Sequence, residues 1–281
     1  METLASRDRR KRAGVLALAY TADPEVEAVL LGGSAGAGHA DRFSDLELGV
    51  FRRSPPTEAT RQAAIDRCAG VVVELFAAED GSWVDEWRAH GLTVETVHVT
   101  LADAQENLEA VLERHDPDPG LQGLPAALTI GMALHGEAPL EEWRRAAAAY
   151  PDGLVRAIVS RQAQLDHFWR FAMFEERRNP VLAACALVDV HERLLRTLLA
   201  VNRVYDAGLK SLDAVDARLI VAPPRLLERI REAYEVPLEQ ADVVVRPLVE
   251  ETYDLVERHV PDVDVARLRA IFRHQRPLWG S

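Results

Sequence analysis

The chain has little of what staples or anchors a protein. Its 281 residues include 2 cysteines, Cys68 and Cys185. They stand far apart, in no CxxC or Cys/His spacing, which excludes a disulfide framework and a zinc site and fits a reducing cytoplasm. Long hydrophobic runs are missing: charges interrupt every window long enough to span a bilayer, so no membrane association is expected. The opening METLASRDRRKRAGVLALAY joins basic residues to an apolar stretch about one signal-peptide h-region long. It has no convincing cleavage site, and no leader is expected. Lysine is nearly absent, with only Lys11 and Lys210 among 33 basic residues.

Basic residues are also outnumbered. Against 33 Lys and Arg stand 45 Asp and Glu, a net charge of -12. That surplus repels a long polyanion and attracts a cationic small molecule, so extensive nucleic-acid binding is not expected. What is present suits a globular protein: 48% hydrophobic and 28% charged residues, enough apolar material for one large domain or two smaller ones.

Two halves differ in pattern. In the first, Arg7 to Thr21 and Thr57 to Cys68 read as helices. Ala28 to Gly32, Asp45 to Phe51, Val71 to Phe76 and Thr93 to Thr100 read as strands, and Ser82 to His90 reads as a short amphipathic helix. After the HDPDPG and LQGLP linker, almost everything beyond Ala126 has helical periodicity. Long helices are expected from about Gly153 to Glu176, Val181 to Ala207 and Glu239 to His259. The expected architecture is α+β, with a mixed-sheet domain over residues 1–115 and a helical bundle over 116–281.

Chemistry concentrates in Val29 to Phe51, VLLGGSAGAGHADRFSDLELGVF. A buried strand runs into Gly33 and Ser34, and a second strand opens with Asp45 and Glu47. Residues i and i+2 of a strand project to one face, so the two carboxylates stand side by side while Leu46 and Leu48 enter the core. Like charges at that spacing call for a cation, and magnesium takes such oxygen ligands, completing its shell with water and phosphate. A glycine turn opening a helix supplies backbone N–H groups to an anion, and Ser34 adds a hydroxyl.

A strand ending in Gly-Ser, about ten residues, then Asp-x-Asp/Glu on the next strand resembles the nucleotidyltransferase superfamily related to DNA polymerase beta. Glu47 departs from the commoner aspartate. The resemblance implies that Gly33 and Ser34 bind the triphosphate of ATP or another NTP. It implies that Asp45 and Glu47 bind magnesium, and that a third carboxylate on a later strand completes the site. Glu95 in VETVHV is the best match for that third group, as metal ligand or as base, with Glu74 as the fallback. His98, three positions on, falls on the opposite face of a regular strand and is not paired with Glu95. The segments GMALHGEAPLEEWRRAAAAYPDGL and LLRTLLAVNRVYDAGLKSL resemble bacterial small-molecule nucleotidyltransferases of the aminoglycoside and lincosamide type. They imply that Lys210 neutralises phosphate charge, with Asn202 and Tyr205 nearby. Arg178-Asn179-Pro180 stands where family members often carry an acidic residue.

The implied reaction is magnesium-dependent transfer of AMP to a hydroxyl of a small acceptor, a cationic one by the charge balance, by a monomer or homodimer. The alternatives are a toxin-like enzyme acting on tRNA or protein and a non-catalytic nucleotide-binding module. Bland readings cover the rest. The basic run Arg7 to Arg12 reads as a solvated face. His167, His191 and His259 have no metal spacing, Asp166, Glu175 and Glu176 read as a polar helix face, and Phe168, Trp169 and Phe171 read as core.

Overall fold

The computed structural model describes residues 2–77 and 81–274. The chain divides into two compact units, Met1–Arg114 with Gly120–Ala149, and His115–Pro119 with Tyr150–Ser281. Among the described residues no helix is long and apolar enough to cross a membrane.

The first unit is built on a mixed six-stranded sheet in the order β3-β4-β5-β2-β1-β6. Its strands are β1 (Val26–Leu31), β2 (Leu46–Arg52), β3 (Val71–Ala77), β4 (Trp83–Ala89), β5 (Leu92–Thr100) and β6 (Met132–His135). Among the described residues only the β2–β5 pair is parallel. The helices are α1 (Leu4–Tyr20), α2 (Gly33–Ala37), α3 (Glu58–Arg67), α4 (Leu101–Leu112), α5 (Gly123–Ile130) and α6 (Glu137–Ala148). Alternation along the strands sends Val29, Leu31, Leu46, Leu48, Val50, Trp87 and Val94 into one core, beneath Ala13, Leu16, Ala17 and Tyr20 of α1 and Ala64 and Ile65 of α3. The opposite face has its own core. There Ala28, Leu30 and Phe51 pack against Leu108 of α4, Leu128 of α5, and Leu140 and Trp143 of α6.

Two sequence expectations fail in this unit. Ser82 to His90 is not a helix: Trp83–Ala89 is β4, paired antiparallel with β3 and with β5. The decisive local signal is the two-residue connection His90-Gly91, with φ of 52° and 78°, which closes a hairpin between Ala89 and Leu92 in the conformation that twisted strands favour. Residues 120–149, expected in the helical half, belong to the sheet unit. Met132–His135 forms β6 and pairs antiparallel with β1, a strand too short to leave a periodic signature.

Between α1, α3 and the sheet lies a buried polar network. Asp85 accepts from Arg61 at 2.7 Å and from Nε2 of His98 at 2.8 Å, and all three are buried. Because a carboxylate only accepts, the His98 proton sits on Nε2. Thr96 bridges Tyr20 and Trp87 beside them. His98 does face away from Glu95, as strand alternation requires.

The second unit is helical: α7 (Asp152–Gln162), α8 (Arg170–Glu176), α9 (Pro180–Val201), α10 (Leu212–Asp216), α11 (Leu226–Glu235), α12 (Leu238–His259) and α13 (Val265–Arg273). Asn179 caps α9 and Pro180 occupies its first turn, where a missing N–H costs nothing. The single helix expected from Gly153 to Glu176 is broken between α7 and α8. There the Tyr253 hydroxyl donates to the carbonyl of Ala163 at 2.8 Å, and Phe168 stacks between Phe171 and Phe272.

One buried group gives this unit a pH dependence. His191 of α9 shares a 2.9 Å hydrogen bond with the Tyr234 hydroxyl through Nδ1, its Nε2 has no partner, and burial pushes its pKa down to about 4. The unfolded chain takes up this proton near pH 6.5 and the folded chain only near 4, so stability is lost as pH falls through that window. At ~1.4 kcal/mol per pH unit the loss approaches about 3 kcal/mol. In urea titrations at pH 7 and pH 4.5, the wild type is expected to lose more stability than His191→Leu does.

Candidate functional site

The site is assembled where β1 turns into β2. The β1–β2 ladder pairs Leu31 with Leu48 and ends in the Gly32 N–H donating to the Glu47 carbonyl at 2.9 Å, so the turn that follows lies beside the start of β2. Gly33 then takes φ 54°, a left-handed conformation that costs an L-residue about 1–2 kcal/mol. A Cβ on Gly33 would come within 2.4 Å of a Glu47 carboxylate oxygen, so a side chain there would have to displace the end of Glu47. The turn and the second carboxylate therefore touch. Ser34 sits half-buried in the one-turn helix α2, whose first N–H groups have no acceptor within the helix. With five residues, α2 presents those N–H groups but only a fraction of a long helix's dipole.

Asp45 and Glu47 lie at i and i+2 at the mouth of β2, both half-buried. Glu95 is exposed on β5 and stands directly opposite Glu47 in the parallel register. The register continues outward: Glu95 opposes Glu86 on β4, and Glu86 opposes Glu74 on β3. Four glutamates thus cross four adjacent strands on one face, beyond the end where Phe51 and Leu30 are covered by helices. Like charges directly opposed on neighbouring strands are destabilising, by roughly 0.2–1 kcal/mol a pair, and a cation relieves that repulsion. Among the described residues no group of three or more His, Cys, Asp and Glu comes together closely enough to hold a metal ion. The donors fit magnesium as a carboxylate pair whose other ligands are water and phosphate, and not as a preassembled three-carboxylate cage.

The loop before Asp45 is held by residues that sequence reasoning dismissed. Arg9 is buried and donates through Nε and Nη2 to the Ser44 carbonyl at 2.8 and 2.6 Å. Arg10 donates to the carbonyls of Ala35 and Gly36 at 2.9 and 2.6 Å. Adjacent arginines of α1 thus grip the loop on one side of the site and the turn on the other. Asp41 accepts from the N–H groups of Phe43 and Ser44, bonds that hold its carboxyl below the usual carboxylate range. The available signal was periodicity: Arg9 precedes Ala13, Leu16 and Tyr20 on the buried face of α1. Arg9→Ala removes a charged fork worth about 1.5–3 kcal/mol. Its urea midpoint is expected to fall, and the activity of the site with it; Arg9→Lys, which has no fork, is expected to restore only part.

Lys210 lies in the second unit, exposed on the segment between α9 and α10. Its neighbours fix that segment. Asn202 Oδ1 accepts from the Ile220 and Val221 N–H groups at 2.7 Å each, and Arg196 holds Asp206 at 3.1 Å. Tyr205 is buried with its ring 4.6 Å from that of Tyr150, and burial raises its pKa. Asn202 and Tyr205 therefore do structural work here.

No family model matches the chain, and no curated protein does. Among solved structures, a nucleotidyltransferase-like protein from Exiguobacterium sibiricum is similar over 89% of this chain and 78% of its own, with 13% sequence identity and a TM-score of 0.43.

Proposed function

We propose that the protein is a nucleotidyltransferase that moves AMP from ATP to a hydroxyl of a small, cationic acceptor of the aminoglycoside or lincosamide class and releases pyrophosphate. The observation that carries this reading is the closeness of turn and carboxylate: the Glu47 carboxylate fills the space that a Cβ on Gly33 would take, so a phosphate-type turn lies against an acidic strand. In this reading the backbone at Gly33 and Ser34 and the Ser34 hydroxyl bind the β and γ phosphates. Asp45 and Glu47 hold magnesium, which when bound offsets the charge that builds on the phosphoryl oxygens. Glu95 either shares the metal or accepts the proton of the attacking hydroxyl. Lys210 is assigned to the phosphate charge. The net charge of -12 favours a cationic acceptor, and two free cysteines suit the cytoplasm.

The test is incubation with α-labelled ATP, magnesium and a panel of aminoglycosides and lincosamides beside tRNA and protein. Label is expected on a small acceptor, and to be lost in Asp45→Ala. Label only on tRNA or protein would replace the acceptor with a macromolecule. ATP binding without transfer to anything would reduce the protein to a nucleotide-binding module.

A further inference from the structure

We propose that Thr3, Ser6 and Arg10, together with Arg9, are positioning residues of the site. The first two turns of α1 form a template that fixes the offset between the Gly33-Ser34 turn and Asp45. They thereby set the offset between bound triphosphate and bound magnesium, an inference that rests on both ligands binding where the proposed function puts them. The connection from β1 to β2 needs such a support. A helix of five residues, as α2 is, is too short to hold itself, and residues 38–45 belong to no helix or strand.

Three grips lie along this connection. Near its start Arg10 donates to the Ala35 and Gly36 carbonyls, toward the end of α2 away from Ser34, and Glu2 holds the same guanidinium at 2.8 Å. At its end Arg9 holds the Ser44 carbonyl, next to Asp45. Between them Thr3 and Ser6 close a ring on Ala40. Thr3 Oγ1 donates to the Ala40 carbonyl at 2.7 Å, and the Ala40 N–H donates to Ser6 Oγ at 2.8 Å. Because the one hydroxyl proton of Thr3 lies on the Ala40 bond, the 2.9 Å contact between the two hydroxyls has Ser6 donating and Thr3 accepting. Both backbone groups of Ala40 are thus held. Ser6 is 0% and Ala40 1% exposed, so no water reaches the ring to replace a lost member. The Thr3 N–H adds a bond to the Gly38 carbonyl at 3.0 Å. Thr3, Ser6 and Arg10 are spaced by three and four residues, which sets them on one helix face, and that face spans the phosphate turn and the approach to the metal strand. Two ligands that must meet are held to one template, and a misplacement of about 1 Å in such an arrangement costs roughly a hundredfold in rate.

The test is the coupling between the two ligands, measured by titrating ATP with and without magnesium, without urea, where each variant is shown by its urea curve to be folded. In the wild type magnesium is expected to tighten ATP binding by roughly tenfold or more, within the ordinary range for coupled ligands. Ser6→Ala and Arg10→Gln are expected to lose most of that gain while ATP alone binds nearly as before. Thr3→Val should act in the same direction, and Thr3→Ser, which keeps the hydroxyl, should retain the coupling. Amide exchange at Ala40 should quicken in Ser6→Ala. Should Ser6→Ala fail to fold, Arg10→Gln, at a side chain 29% exposed, decides alone. Undiminished coupling in folded variants would overturn the proposal and make α1 a packing helix only. Coupled binding in the wild type, lost in the variants, without transfer to any acceptor would uphold the template and overturn only the transferase reading. A wild type that binds no ATP would overturn both.

Discussion

Asp45→Asn is expected to lower nucleotidyl transfer by roughly a thousandfold while leaving the fold intact. The substitution keeps size and shape but removes the charge that a hard cation requires. Loss of several kcal/mol of charge stabilisation in the transition state, taken as about 4 kcal/mol, corresponds to that factor. Asp45 is half-buried, just ahead of the first residue of β2, and the loop before it is gripped by Arg9, so the asparagine has a place to sit. The measurement is a steady-state rate at saturating ATP and magnesium, with the urea midpoint of the same variant. A rate that falls while the midpoint stays assigns the effect to chemistry. Equal loss of both would make Asp45 a structural residue.

Asp85→Ala is expected to have the largest effect on stability. Asp85 is fully buried and is the common acceptor for Arg61 and His98. Removing it leaves a guanidinium inside the first unit without its counter-charge, a loss of about 3–5 kcal/mol. For a unit of this size that lowers its melting temperature by about 10 °C. Asp85→Asn should cost less, because its amide oxygen still accepts one of the two bonds. Since the chain has two units, the readout must follow the first alone; Trp83 and Trp87 on β4 offer a fluorescence signal there. Calorimetry of the whole chain would blend two transitions.

The same residue explains why β4 was hard to read. Its inward positions are Trp83, Asp85, Trp87 and Ala89, and a charged group in that row hides the two-residue alternation of a half-buried strand. Only the network under the sheet makes the aspartate an interior residue. Conversely β2 and β5 were legible because Leu46, Leu48 and Val94 alternate with polar or small residues, and β1 because Ala28 to Leu31 is an unbroken apolar run buried on both faces. The candidate site was legible where it is local in sequence, in the Gly33-Ser34 turn and the Asp45-x-Glu47 strand. Its wider setting depends on sheet order. No spacing along the chain could show that Glu74, Glu86, Glu95 and Glu47 share one row, because strand neighbours are set by tertiary pairing. Arg9 and Arg10 were missed for a related reason: five basic residues between positions 7 and 12 look solvated until the carbonyls they grip are folded against them.

The most direct test of the account is a crystal structure with a non-hydrolysable ATP analogue and magnesium. The account predicts the triphosphate against the backbone of Gly33 and Ser34, with magnesium bridging it to Asp45 and Glu47. Nucleotide bound away from the Gly33 turn, or bound there with no metal reaching either carboxylate, would contradict it.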